Sequence, residues 1–345
     1  MMNEYYDKVE KDIIKKYGEI MIDSNLVIEE DIFTIPVSPA IDIGLNGGIP
    51  EGSWVILSGA PKCGKTTTAL QIAANCQSEE AGGRMVYYLN AEGRFKKMNL
   101  SGVEGLNPDK LKLIQSTQGN ILTAEDFLTI ATNIIKDHPG CVVIIDSASA
   151  LSPEKEMLNE INGQVRAGTP KLLSSFCKQM GTVVPIQNTI IIIIQHLIAN
   201  TSGYGKAYIE DGGQKIKYQS DIKLRAKGVK KWNVGNSETP IGQIVSWTVE
   251  HSALGPPGAV VDSYLRYGKG IDSIYEWINL AADFGLISKA GAWFKCNFME
   301  DHEEEAKAME FDPTTKFQGQ EKLYKFLQQN PKLLELLEAD IKSML

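Results

Sequence analysis

Apolar positions change their period twice along the chain. Near the N-terminus, Tyr6, Val9, Ile13, Tyr17 and Ile20 recur at spacings of three and four, which predicts a helix over about residues 3–20 with one apolar stripe. A link and a short extended stretch, LVIEEDIFTI from Leu26, follow it. Together they read as an appendage whose stripe packs either on the chain's own core or on a neighbouring subunit. From Trp54 onward, continuous apolar runs alternate with amphipathic ones. Strands are predicted at 54–58, 85–90 (MVYYLN), 141–146 (CVVIID), 189–195, 221–227 and 243–251. Helices are predicted at 65–77, 123–136 and 170–181, the last with Pro170 in its first turn. Apolar strands separated by helices imply an α/β fold with a mostly parallel sheet covered on both faces. After about Tyr267 the pattern changes again. SIYEWINLAADFGLI, AGAWF, LYKFLQQN and KLLELLEADIKSML read as small helices around a minor core, and the acidic EDHEEEAKAMEFDPTTKF reads as a solvated loop. The expected organisation is an arm over 1–34, a core over 35–269 and a small domain over 270–345.

Composition narrows the function classes. Of 345 residues, 43% are hydrophobic, enough for a sizeable core and against global disorder. The net charge of −8 argues against a positively coated protein but leaves room for local basic loops that hold nucleic acid. Cys63, Cys76, Cys141, Cys177 and Cys296 are odd in number and never two or three residues apart, as expected of free thiols in a reducing compartment. His138, His196, His251 and His302 show no metal-ligand spacing. The first residues are charged, and no apolar run approaches the roughly 18 residues of a membrane span. The expectation is a cytoplasmic protein with no membrane partner.

The sharpest chemical signal is Gly59-Ala-Pro61-Lys62-Cys63-Gly64-Lys65-Thr66, which fits G-x-x-x-x-G-K-[ST] between a predicted strand and a predicted helix. Glycines let the backbone wrap so that successive N–H groups face phosphate oxygens, and the helix adds its positive end. Lys65 then reaches the β- and γ-phosphates of ATP, and Thr66 offers a hydroxyl to Mg²⁺. Asp146, closing an apolar strand, has the form of the carboxylate that completes the metal site through water. Glu92, just after MVYYLN, is placed to reach the same carboxyl edge of the sheet and orient water. Ligands in open parallel sheets bind at that edge. Gln195 ends the Ile-rich strand there, where a polar side chain can touch the γ-phosphate. The stretch 196–213 after it carries Gly203, Gly205, Gly212 and Gly213, and its length favours function over mere connection.

These features, in this order, resemble the RecA family of recombinases from about Ile35 to the C-terminus. IPVSPAIDIGLNGGIPEGSWVILSGAPKCGKTTTALQIA is similar to the family's entry strand and P-loop, and IIDSASALSPEKEM to its metal-binding strand and first DNA loop. IIIIIQHLIAN and GGQKIKYQSDIKLR resemble the sensor glutamine, the second DNA loop and the helix after it. LISKAGAWF and FQGQEKLYKFLQQNP resemble the small C-terminal domain of the bacterial proteins, and phage recombinases of the UvsX type are similar too. The resemblance implies an ATP- and Mg²⁺-dependent helical filament on single-stranded DNA that pairs with duplex DNA and exchanges strands in a bacterial cytoplasm, from a phage-encoded member. Single-strand-binding and loader proteins are implied partners. By resemblance, Thr67 joins Lys65 and Thr66 in the P-loop, Glu92 activates water and Gln195 senses the γ-phosphate. The DNA loops fall at about 156–169 and 196–213. Arg166, Lys171, Lys206 and Lys215 hold the DNA backbone together with loop N–H groups around Gly212 and Gly213. Lys217 and Tyr218 fall where the family has a nucleotide- or subunit-contacting lysine and an aromatic at the subunit boundary, and the N-terminal helix becomes the arm that docks on the next subunit.

The sequence also departs from the family pattern. The family's lysine pair that reaches a neighbour's ATP is replaced by Glu250, His251 and Ser252. No aromatic stands near Asn99 to stack on adenine, and His196 replaces the usual residue after the glutamine, where it reads as a loop histidine without a special role. Two rival readings remain at this point: a ring-forming motor on the same core, and an ATP-gated DNA coat that barely hydrolyses.

Overall fold

The run Thr189–Gln195 carries isoleucine at five successive positions, so a strand there is apolar on both faces and can exist only inside a sheet covered on both sides. The computed structural model, which describes residues 2–29, 31–158, 168–200, 208–211, 213–235 and 237–344, builds that sheet. Its strands are β1 (Trp54–Gly59), β2 (Val86–Asn90), β3 (Leu111–Ile114), β4 (Val142–Asp146), β5 (Ile190–Ala199), β6 (Tyr208–Glu210), β7 (Ile222–Trp232), β8 (Gly242–His251), β9 (Val260–Arg266) and β10 (Gly270–Ile271). The order is β10-β9-β8-β7-β1-β5-β4-β2-β3, with β6 added to the end of β5. The segment from β7 to β3 is parallel, and β8, β9, β10 and β6 run antiparallel to their neighbours.

The period-2 alternation of these strands divides the core into two layers. Val55, Leu57, Val142, Ile144, Ile190, Ile192 and Ile194 pack on one face with Leu70, Ile72 and Ala73 of the helix Lys65–Cys76. Ile56, Val143, Ile145, Ile191 and Ile193 pack on the other, under the helices Ala124–Asp137 and Gly168–Met180. The first of these two is started by a reciprocal cap. Thr123 Oγ1 accepts from the Asp126 amide at 3.2 Å, and the Asp126 carboxylate accepts from the Thr123 amide at 2.9 Å.

Residues 273 onward form a smaller core of their own, in which Trp277, Ile278, Phe294, Phe298, Leu323, Leu327, Leu337 and Ile341 are buried. The fully buried Glu276 of the helix Ser273–Asp283 ties it to the larger sheet. One carboxylate oxygen accepts from the Ala40 amide at 3.0 Å, the other from Ser263 Oγ at 2.7 Å and the Tyr264 amide at 3.1 Å. A buried carboxylate is tolerable when its lone pairs are used in this way, and burial nonetheless pushes its pKa up.

The N-terminal segment, residues 1–33, is a separate unit. Its first helix covers Met2–Tyr17, and its stripe residues Val9 and Tyr17 are exposed, as is Ile20 beyond the helix. The stretch expected to be extended from Leu26 is instead partly a helix, Ser24–Glu29, and only Thr34–Ile35 is strand.

Several expectations in the small domain are corrected. AGAWF is not a helix: Ile287–Ala290 and Trp293–Cys296 form a hairpin that turns at Gly291 (φ 61°), and Lys316–Gln318 adds a third strand. Four residues are too few for a period to declare itself, but the burial alternates, with Trp293 exposed and Phe294 and Cys296 buried. The acidic stretch is not only loop either. Glu303–Ala308 is a helix whose first turn holds Glu303, Glu304 and Glu305, the favourable end for negative charge, and Ala306 is buried beneath it. In the main sheet, the polar-edged β3 and the antiparallel β9 and β10 were not expected. All five cysteines are free and buried, and among the described residues no helix is long and apolar enough to cross a membrane.

Candidate nucleotide and DNA site

β1 delivers the chain to the glycine loop at its carboxyl end. Two left-handed residues, Lys62 (φ 62°) and Gly64 (φ 91°), close the loop onto the helix Lys65–Cys76. Gly64 suits its left-handed backbone, which side chains rarely adopt, and a Cβ there would also press on Leu265 Cδ1 at 2.3 Å. Gly59 is equally confined, since a Cβ would meet Cys63 Sγ at 2.6 Å and Ala226 Cβ at 2.9 Å. Lys65 is buried, and its ammonium donates to the carbonyls of Gly59 at 3.0 Å and Ala60 at 2.8 Å. The lysine is thereby held inside the loop whose N–H groups wrap the phosphate position. Cys63 is buried beside it, and burial raises its thiol pKa, as for a packing residue rather than a nucleophile.

β4 ends beside this loop. Thr66 Oγ1 donates to Asp146 Oδ2 at 2.9 Å, and the Tyr88 hydroxyl donates to the same oxygen. Burial pushes the Asp146 carboxyl up, and the bonds from Tyr88 and Thr66 pull against it. A buried carboxylate next to a hydroxyl at a phosphate loop is a hard-oxygen donor set, the kind Mg²⁺ prefers, and a cation there would favour the ionised form.

β2 brings Glu92 to the same edge. Its amide donates to the Asp146 carbonyl at 3.2 Å, and its Oε1 accepts from Ser147 Oγ at 3.1 Å and meets His196 Nε2. Burial acts to raise the Glu92 carboxyl, but the bond and charge of His196, helped by Ser147 and Arg94, outweigh it, and its pKa lies below the ordinary carboxylate value. Pro61, Glu92, Arg94, Ser147, Ser149 and His196 line a cavity of about 400 Å³ in front of the loop. His196 therefore has a definite partner, contrary to its reading as an idle loop residue.

Gln195 stands opposite Ser58 in the β1–β5 register, and its Nε2 donates to the Asp211 carbonyl at 3.0 Å. β5 does not stop at Gln195, as expected, but continues to Ala199. β6 returns against it, with Leu197 opposite Glu210 and Ala199 opposite Tyr208. The expected second loop is thus a hairpin rooted at the nucleotide edge, and residues 201–207, Lys206 among them, lie outside the described residues. So do Arg166 and Gly212. Lys171 and Lys215, with Pro170, Ser174, Ser175 and Gly213, line a shallow cavity of about 460 Å³. Lys178, two turns beyond Lys171 on the same helix, joins them; its spacing of seven was a readable but unread signal. Lys217 is on the helix Gln214–Gln219, which packs against Gly168–Met180, and Tyr218 beside it is exposed.

Where the lysine pair was missing, Glu250 is engaged within its own chain. Lys223, almost fully buried, lies 2.9 Å from both Glu210 and Glu250, and Arg225 lies 3.4 and 3.5 Å from the same two carboxylates. The group spans β6, β7 and β8 and fixes the returning strand of the hairpin. A buried lysine is sustained by such pairing, and removing one partner strands a charge.

The parallel sheet, the glycine loop and the carboxylates at its carboxyl edge define a P-loop ATPase of the mostly parallel α/β class. Profiles of known families locate it further: the RecA N-terminal domain matches residues 4–272 and the RecA C-terminal domain residues 276–345. The chain belongs to the RecA family. The RecA protein of Fusobacterium nucleatum is 29% identical over 331 residues, spanning 96% of this chain and 79% of that protein. That of Oleidesulfovibrio alaskensis is 27% identical, spanning 95% and 88%, and that of Phytoplasma mali 28% identical, spanning 96% and 92%. The protein is an ATP-dependent DNA recombinase with DNA-dependent ATPase activity, and it acts on DNA as an oligomer.

Proposed function

We propose that ATP seated between Lys65 and the edge of β4 and β5 controls a DNA-gripping surface through Gln195, and that this coupling drives filament extension on single-stranded DNA and exchange with a duplex. The observation that carries the reading is the place of Gln195. Its backbone is in register with Ser58, the residue before the phosphate loop, while its side chain holds the Asp211 carbonyl at the root of the hairpin. A γ-phosphate that engages the amide must take it from Asp211 or share it, and either changes the hairpin. Lys65 and the loop N–H groups of Lys62, Cys63, Gly64, Thr66 and Thr67 bind the phosphates, while Gly59 and Pro61, which has no N–H to offer, shape the turn that aims those groups. Thr66 directly, and Asp146 through water, are the residues that would hold Mg²⁺, which would neutralise phosphate charge there. Glu92 orients the attacking water.

DNA lies along Lys171 and Lys215, extended by Arg166, Lys206 and the N–H groups of Gly212 and Gly213. Contacts of this type read phosphate rather than sequence, so binding is sequence-tolerant and salt-sensitive. The unit 1–34 serves as the arm that docks on the next protomer, as its exposed Val9, Tyr17 and Ile20 favour. The core spans 35–269 and the small domain 270–345. Because Glu250 is tied to Lys223 and Arg225, the contact to a neighbour's ATP falls to Lys217. The working compartment is a bacterial cytoplasm, with single-strand-binding and loader proteins as partners and a phage genome as the source.

The Lys171→Ala, Lys215→Ala double variant tests the DNA surface. Titration against a single-stranded oligonucleotide is expected to show affinity weakened about tenfold and the salt slope reduced by about 2, with ATP affinity unchanged. Equal loss of DNA and ATP binding moves the DNA site elsewhere.

A further inference from the structure

His196 occupies the joint between the two halves of the site. Its amide donates to Ser149 Oγ at 3.1 Å and its carbonyl accepts from the Asp211 amide at 3.1 Å, so its backbone is held from both sides. It follows Gln195 and precedes Leu197, the first residue of β5 in register with β6. Its side chain reaches in the opposite direction, to Glu92 on β2. A carboxylate only accepts, so Nε2 is the donor in that contact. The other ring nitrogen, Nδ1, is buried and has no hydrogen-bond partner among the described residues. A ring shaped only by packing would turn to satisfy a buried nitrogen where it could; this one gives up Nδ1 and spends Nε2 on Glu92.

The consequence for chemistry is local. Glu92 Oε1 already accepts from Ser147 Oγ, and His196 adds a second donor to the same oxygen. A carboxylate bound by two donors is a weaker acceptor for a water proton and is held in place at the wall of the cavity that Pro61 of the phosphate loop also lines. The grip on the hairpin is equally firm at its other strand, where Glu210 is paired with Lys223 and Arg225. The bond from the Asp211 amide to the His196 carbonyl ties that backbone to the end of β6.

Resting on the reading of Glu92 as the water-orienting carboxylate, we propose that His196 is a positioning residue that keeps Glu92 engaged until the β5–β6 hairpin rearranges, so that DNA on the hairpin releases ATP hydrolysis through one side chain. In this proposal His196 acts through Glu92.

The test uses the full-length protein with His196→Asn and His196→Gln, read by steady-state ATP turnover with and without single-stranded DNA. The glutamine amide reaches about as far as Nε2, whereas the asparagine amide stops at the reach of Nδ1. The two differ by one methylene and burden folding alike. His196→Asn is expected to raise kcat without DNA by about tenfold, the worth of one hydrogen bond to a charged group, with KM for ATP unchanged and the stimulation by DNA correspondingly reduced. His196→Gln is expected to keep the wild-type ratio. The proposal is overturned if His196→Asn leaves DNA-free kcat unchanged or lowers it, or if the two variants behave alike. Glu92→Gln, run beside them, separates the two layers. If it has lost turnover while the His196 variants show no effect, only the role of His196 is wrong. If it retains DNA-stimulated turnover, the reading of Glu92 fails and this proposal falls with it.

Discussion

Replacing Lys65 by alanine slows ATP turnover by at least about a hundredfold and abolishes ATP-dependent filament extension on single-stranded DNA. The ammonium is buried and enclosed by the loop's own carbonyls, so no other cation can move into its place without rebuilding the loop. What is lost is a positive charge preset in a site of low dielectric, where it acts on the charge of the transferring phosphoryl group without reorganising. The replacement also leaves the Gly59 and Ala60 carbonyls without their donor, so ATP affinity falls along with turnover. Turnover assays and electron microscopy of the variant with ATP and single-stranded DNA check both halves. Extended filaments and exchanged strands at wild-type levels contradict the assignment of the phosphate site.

Glu92→Gln has the opposite profile. Turnover is expected to fall by about 10²–10⁴-fold, the usual worth of a positioned acid–base group, while ATP binding and filament extension persist. The side chain lies across a cavity from the loop rather than within it, and glutamine keeps an oxygen to accept from Ser147 and His196. The architecture is therefore preserved while the group that takes up the water's proton is gone. Filaments assembled with ATP should then last far longer on DNA, because the step that loosens the hairpin has been slowed. A variant that loses ATP binding and turnover together shows that Glu92 serves the loop's structure instead.

The two profiles depend on residues that differ in how openly they could be read from sequence. The phosphate loop is a contiguous motif set between a strand and a helix. Asp146 closes an apolar strand and Glu92 follows another by two residues, so parallel strands place both at one edge. The mostly parallel sheet followed for the same reason, from strands apolar on both faces. The contact of His196 with Glu92 could not be read, because it joins positions 104 residues apart and no periodicity reports on which loop residue meets which strand end. The ion pairs of Lys223 were hidden in a strand whose alternation is ordinary until Glu210 and Glu250 are brought beside it from β6 and β8. The hairpin at Trp293 was lost to its length, and the continuation of β5 past Gln195 to its polarity, since His196 and Asn200 read as loop where antiparallel pairing with Tyr208–Glu210 carries the strand on to Ala199. Tertiary partners, not local propensity, decided each of these.

Affinity for single-stranded DNA, measured on one preparation without nucleotide, with ADP and with a slowly hydrolysed ATP analogue, tests the coupling through Gln195 most directly. Binding should be tightest with the analogue by at least about tenfold, a coupling free energy of about 1.4 kcal/mol, and Gln195→Ala should erase the difference while leaving the analogue bound. Equal affinity in all three states contradicts the account, since a γ-phosphate that does not alter the hairpin cannot be what makes the protein hold DNA.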